Sequence, residues 1–288
     1  MRYFAMVAAG ATLWGCWPLF LRQAGLTGAQ NALLALLIMS LPAPFLLRRE
    51  ALRDRRALIA LVAMGVADAI NVALFFAAVR RGPVAVAVLT HYLAPLLVAL
   101  AAPWVMRERR SMRALLGTPL TLIGLGLLIW KPGEDFSGWT AALGGASAIF
   151  FAITVFGAKE AARVWSPLGV TSVHAAIAVA TLLLFFGRSA LPPLELPVLW
   201  VVAGGVLSGL IGNILFNSGL RRIPTAAASA LTYLEPLTAS LVGWVFFSEA
   251  LGSWGLLGGA LVLGVGVWVA AESRVPEDSP LAPISSTS

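Results

Sequence analysis

Three observations predict an all-α membrane protein of ten transmembrane helices, arranged as two inverted five-helix repeats. Apolar residues make up 59% of the chain and charged residues 11%, against about 45–50% and about 25% in soluble domains. The apolar residues gather in runs close to the ~20 residues a helix needs to cross a bilayer. A stretch of the chain also occurs twice. Arg80-Arg81-Gly82-Pro83 through Tyr92-Leu93-Ala94-Pro95 superposes at a constant offset on Arg221-Arg222-Ile223-Pro224 through Tyr233-Leu234-Glu235-Pro236, and the match continues to Glu108 over Glu249. Self-similarity of this length is a fold-level signal.

Taken in order, the apolar segments lie near 3–22, 29–47, 57–79, 83–105, 112–130, 138–158, 167–187, 196–219, 225–247 and 251–271. The joints are short and carry breakers at Gly28, Pro132-Gly133, Ser166-Pro167, Pro192-Pro193 and Ser248. In the first segment, Leu13-Trp14-Gly15-Cys16 loosely resembles a lipoprotein cleavage site. The bulky Trp14 two places before the cysteine, and an apolar run that continues to Leu21, argue for a membrane span instead. The fourth and ninth segments each open on a proline, which a first helical turn tolerates. Each then carries a second, Pro95 or Pro236, in mid-helix. That proline offers no N–H to the carbonyl four residues back, His91 or Thr232. A broken helix survives in a membrane where it is buried in protein or lines a wet cavity. The repeat therefore predicts a cavity flanked by two kinked helices, with Pro95 and Pro236 as hinges. The domains expected are 1–133 and 134–271, one five-helix repeat each, followed by a disordered cytoplasmic tail at 272–288 that is rich in Pro and Ser.

Charge gives the orientation. The net charge of +7 comes from arginine clusters between apolar runs, so membrane topology explains it better than nucleic-acid binding. With the N-terminus inside, only Arg22, Arg80, Arg81, Lys131 and Arg188 of the 20 Lys and Arg residues fall outside. Both termini are expected to be cytoplasmic. Five segments per half is an odd number, so the halves must run in opposite directions. Inverted repeats with a site at the midplane are a common construction of secondary transporters.

On these residues the chain resembles the drug/metabolite transporter superfamily in its ten-helix EamA branch, over residues 3–271. The marks are Trp14-Gly15 with Arg22 eight positions on, more weakly Phe151-Ala152 with Lys159, and a Tyr-Leu-Xaa-Pro in segments 4 and 9 followed by Glu108 and Glu249. Within the branch it is most similar to the YddG-type aromatic amino-acid exporters. That resemblance implies a bacterial inner-membrane secondary transporter exporting amino acids, aromatic and apolar ones preferred, by alternating access. The alternative is an exporter or facilitator of another small metabolite or drug, without ion coupling.

Polar residues inside the segments are few. Asp68 and Asn71 share a face of segment 3, and Asn213 and Asn217 share one of segment 8. His91 and Tyr92 lie in segment 4; Tyr233 and Glu235 lie in segment 9. These pairs of segments are equivalent under the repeat, as a cavity at the repeat interface requires. The asparagines fit helix–helix bridging as well as cavity lining. An acid such as Glu235 at bilayer depth faces a bundle interior or water, where it is protonated, paired with a cation, or meets a substrate's amino group; Asp68 has the same options. Trp17, beside Pro18, is the indole expected in the cavity, while Trp14 fits lipid-facing packing equally well. Trp104, Trp130, Trp139, Trp165, Trp200, Trp254 and Trp268 sit near segment ends, as interface belts do. His174, with no counterpart of interest in the repeat, reads as a packing residue. Two histidines in separate segments and one cysteine make no metal-ligand spacing, and no phosphate-binding loop is present. No nucleophile stands at helical spacing from a base, so an intramembrane enzyme is not supported, and no cofactor is expected. The expected partners are a small-molecule substrate and the lipid bilayer. No sequence feature demands an oligomer, and a monomer is the expectation.

Overall fold

The computed structural model describes residues 1–47, 53–130, 136–187, 191, 198–249 and 252–272. These residues form helices and short connections, with no strand among them. Eight helical stretches are long and apolar enough to cross a membrane: Arg2–Ala24, Arg55–Arg81, Val84–Val105, Met112–Ile129, Gly138–Ala161, Pro167–Phe186, Leu199–Leu220 and Thr225–Phe247. Two shorter apolar helices, Gly28–Ser40 and Ser253–Val269, occupy the second and tenth segments. Large apolar side chains such as Leu184, Phe185, Leu199, Val245 and Val267 stand exposed along these helices. A soluble monomer does not present so much apolar surface, so this is a multi-pass membrane protein. The expected joints at Pro132-Gly133 and Pro192-Pro193, the boundary at 133/134, and the tail from 273 onward lie outside the described residues. Glu272, counted with the tail, closes the last helix.

Helix starts follow local chemistry. Thr27 and Gln30 form a reciprocal capping box at Gly28–Ser40. Asp54, Ser111, Ser137 and Ser166 each accept from an amide N–H three residues on, at the heads of Arg55–Arg81, Met112–Ile129, Gly138–Ala161 and Pro167–Phe186. The breaks follow proline. The first segment is interrupted at Cys16, where Pro18 enters the first turn of Trp17–Ala24. The fourth breaks between His91 and Ala94, immediately before Pro95, and the ninth passes through a 3₁₀ turn at Leu231–Tyr233 before Pro236. The Tyr92 carbonyl, at the break, accepts the hydroxyl of Tyr233 at 2.8 Å. The two rings lie 5.7 Å apart. Equivalent tyrosines of the repeated stretch thus meet, and one hydroxyl satisfies a backbone group that water cannot reach.

Packing crosses between the halves. Gly138–Ala161 runs along Arg55–Arg81, Arg2–Gly15 along Gly212–Leu220, and Met112–Ile129 along Ser253–Glu272. The last pair touch through glycine: a Cβ on Gly124 would meet the Gly258 carbonyl at 2.9 Å. Such backbone approach gives lipid-embedded helices their dispersion contacts. Trp104, Trp130, Trp139, Trp254 and Trp268 are exposed, as an interface belt requires. Trp165 departs from that pattern. It is buried in the core formed with Ala161 and Val170, because the turn before Pro167 folds it inward.

Candidate functional site

A cavity of about 230 Å³ opens between the halves. The first segment brings Trp14 and Trp17; the second brings Ala35 and Met39; the third brings Met64 and Asp68. From the other half come Phe151 and Thr154, then His174, then Ser208, Asn213, Phe216 and Asn217, and finally Glu235. Local structure aims these groups. The interruption at Cys16 lets Trp14 and Trp17 stand on two short helices, and Trp14 packs on the Phe216 ring at 4.7 Å. A Cβ on Gly15 would collide with the Glu235 carbonyl and the Thr238 side chain. Glycine there seats the first helix against the ninth segment beside Glu235. Ser208 lies in a π-helical stretch, Gly205–Ile211. Such widened turns are frequent at functional sites.

The polar geometry is specific. His174 is buried, and its Nδ1 stands 2.8 Å from the Val170 carbonyl. A carbonyl oxygen only accepts, so Nδ1 carries the proton and donates. The other ring nitrogen, Nε2, faces Asp68 Oδ2 at 3.6 Å. Asn213 Nδ2 donates to the Gly209 carbonyl at 2.8 Å and Asn217 Nδ2 to the Thr171 hydroxyl at 3.0 Å. The Ser208 hydroxyl is buried and has no protein partner. Glu235 has the Tyr92 hydroxyl as a hydrogen-bond neighbour.

Of the nine residues expected at a cavity, Trp17, Asp68, Asn213, Asn217 and Glu235 are in its wall, and Asn71, His91, Tyr92 and Tyr233 are not. Asn71 is buried three residues beyond Asp68, while the wall uses Val72, four beyond. Positions at +3 and +4 fall on opposite sides of the Asp68 direction. His91 sits in an aromatic cluster with Phe75, Tyr92 and Phe151, its Nδ1 2.9 Å from the Ser147 hydroxyl. The Tyr233 hydroxyl is spent on the Tyr92 carbonyl, and the two rings pack together outside the cavity wall. Pro95 and Pro236 lie in the first turns of the half-helices Ala94–Val105 and Leu234–Phe247. Trp14, His174, Ser208, Phe151 and Phe216 were not selected from the sequence. His174 carried a signal, a titratable side chain in an apolar run, that its missing repeat counterpart outweighed. The π turn at Ser208 has no sequence mark beyond its flanking glycines. Among the described residues no group of His, Cys, Asp and Glu is arranged to hold a metal ion.

A multi-pass helical bundle with an internal cavity lined by aromatic and acidic side chains fits the class of membrane transport proteins. The family model described as EamA-like transporter family matches twice, over residues 1–130 and 138–271. An uncharacterized transporter of Archaeoglobus fulgidus is 33% identical over 275 residues, covering 94% of this chain and 97% of its own. Uncharacterized transporters of Bacillus subtilis and Pseudomonas aeruginosa are 28% and 27% identical, covering 66% and 71% of this chain and 66% and 68% of their own. A solved crystal structure superposes with a TM-score of 0.76 at 22% identity, over 94% of this chain and 96% of the other, and so shares the fold. The chain belongs to the EamA-like transporter family.

Proposed function

We propose that this protein is a secondary transporter of the bacterial inner membrane that exports amino acids, aromatic and apolar ones preferred, by alternating access. Its ten segments cross the bilayer as two inverted halves, 1–133 and 134–271, with both termini cytoplasmic and the monomer as the working unit. The half-helices at Pro95 and Pro236 bend to close opposite ends of the cavity. The observation that carries this reading is the construction of the cavity from both halves, with indole and phenyl rings beside Asp68 and Glu235. Rings of that kind stack on an apolar or aromatic side chain, and buried carboxylates receive an amino group. The contact between the equivalent tyrosines, Tyr92 and Tyr233, supports a symmetry axis passing between the halves. Similarity to YddG-type exporters supports the direction and the substrate class.

The test is uptake into proteoliposomes over a panel of amino acids, with and without a pH gradient. Saturable flux of aromatic amino acids is expected. Flux confined to sugars or nucleotides would remove the substrate assignment, and a gradient requirement would identify the coupling ion.

A further inference from the structure

The cavity is one-sided in charge. Two carboxylates, Asp68 and Glu235, reach its wall, and among the described residues no lysine or arginine does. The nearest cation along the chain is Lys159, next to the lining residue Ala158. It is committed elsewhere, donating to the carbonyls of Leu220 at 2.8 Å and Ile223 at 2.6 Å and pairing with Glu108. A ligand carboxylate would meet neutral donors such as the Asn213 and Asn217 amides, the Ser208 hydroxyl and the Trp14 and Trp17 indole N–H groups, and no cationic side chain among the described lining residues.

An ammonium group meets the reverse situation. In the neutral His174 imidazole with Nδ1 donating to Val170, Nε2 accepts, and it stands 3.6 Å from Asp68 Oδ2, too far for a direct hydrogen bond. A donor placed between the two acceptors serves both. An N–H group about 2.9 Å from each forms the apex of that triangle, and Ser208, buried and without a protein partner, is a further acceptor in the same wall. The indoles of Trp14 and Trp17 line the same cavity, and an indole ring attracts a cation placed over its face.

We infer that the cavity holds its ligand by an ammonium group seated between Asp68 and His174 and leaves a ligand carboxylate unrecognised, so that amphipathic amines bind in preference to the amino acids sharing their side chain. This departs from amino acids as the preferred ligands of the transport reading and rests on that reading only for the movement of ligand.

Calorimetry on the purified full chain tests the inference with four probes of one side chain: phenethylamine, phenylalanine amide, phenylalanine and 3-phenylpropionate. The two carboxylate-free amines are expected to bind about tenfold or more tighter than phenylalanine, since a charge buried without a partner is strongly disfavoured; 3-phenylpropionate is expected not to bind. Phenylalanine binding as tightly as phenethylamine, measurable binding of 3-phenylpropionate, or no binding of any amine would each overturn it. Asp68→Asn supplies its own N–H to His174 and should reduce the advantage of phenethylamine over phenylalanine to about threefold or less. An undiminished advantage in a folded variant also overturns the assignment to this pair; should the variant not fold, the wild-type panel decides alone. Flux measurements separate the two readings. Tight amine binding with no movement of amines or amino acids into vesicles would sink the transport reading and leave the ammonium site standing.

Discussion

The two glutamates that follow the repeated stretch end up in unlike surroundings. Glu108 and Glu249 occupy equivalent sequence positions, and each is preceded by a residue in the left-handed conformation, Arg107 at φ 56° and Ser248 at φ 55°. A non-glycine residue there is uncommon and costs about 1 kcal/mol or more, so the same strained turn has been kept twice to present an acid. Each acid meets the cation of the other half's first segment, Lys159 for Glu108 and Arg22 for Glu249. There the likeness ends. Glu108 and Lys159 are 18% and 19% exposed; Glu249 and Arg22 are 51% and 48% exposed. Glu108 also accepts from the Thr225 N–H at 2.7 Å and the Thr225 hydroxyl at 2.8 Å, fastening itself to the first turn of Thr225–Ala230. Lys159 caps the Leu220 and Ile223 carbonyls. Among the described residues, Arg22 meets Glu249 and the Phe247 ring, 4.3 Å from its guanidinium carbon. One joint is a sealed network of charge-assisted hydrogen bonds, and the other is a surface ion pair. Under the alternating-access proposal, the two joints would be a firmly fastened end and a loosely tied one.

The largest effect should come from breaking the sealed joint. Lys159→Met keeps the apolar stem but leaves Glu108 without its cation and the Leu220 and Ile223 carbonyls without a donor. Removing one partner of a mostly buried pair costs about 3 kcal/mol. A drop of that order in stability, measured by denaturant unfolding in detergent, is expected, and a drop below about 1 kcal/mol would place this joint with the surface pair.

A smaller effect separates charge from helix capping. The position equivalent to Thr225 in the first half is Val84, so Thr225→Val makes the sealed joint resemble the loose one. The variant loses the hydroxyl bond to Glu108 and keeps the N–H bond. A hydrogen bond to a charged group is worth about 1.5–3 kcal/mol, and partial exposure places the loss at the lower end. Thr225→Ser should recover most of it, because the hydroxyl is what matters.

Smaller again is Tyr233→Phe. It removes the donor to the Tyr92 carbonyl while keeping the ring contact. Interhelical hydrogen bonds in membranes average about 0.6 kcal/mol, and the expected loss is about 1 kcal/mol because the carbonyl at a helix break has no other partner to recruit. Faster amide exchange at Tyr92–Leu93 should accompany it.

These contrasts also show what the sequence carried. Periodic signals were readable: apolar length located the segments, and the proline breaks at 92–93 and 231–233 follow from a missing N–H. The pairing of Asp68 with a cavity was visible as an acid in an apolar run. What a pattern could not supply was rotation and partner. Asn71 shares a helical face with Asp68 in projection yet turns to the other flank. His91 and Tyr92, equivalent to the residues beside Glu235, are drawn into an aromatic cluster, so the fourth segment contributes nothing to the wall while the ninth contributes Glu235. The repeat predicts equivalence of chain, not equivalence of environment. The same applies to Glu108 and Glu249: their alignment was legible, and their unequal burial was not.

The least costly change should be at the exposed joint, and there the expectation is a near-null. Arg22→Gln removes one member of a pair about half open to water, where ion pairs contribute about 0–1 kcal/mol, so unfolding stability should fall by about 0.5 kcal/mol or less. Charge reversal sharpens the contrast. Arg22→Glu combined with Glu249→Arg exchanges the signs of a pair whose side chains have no other hydrogen-bond partner among the described residues, and the double variant should match the wild type while Arg22→Glu alone does not. The corresponding exchange of Lys159 and Glu108 should fail, because an arginine or lysine at 108 cannot accept from the Thr225 N–H and an acid at 159 would face the Leu220 and Ile223 carbonyls. Rescue at both joints would mean that charge alone holds them and that the backbone contacts of Glu108 and Lys159 are incidental. Rescue at the exposed joint only would tie the asymmetry to those backbone groups.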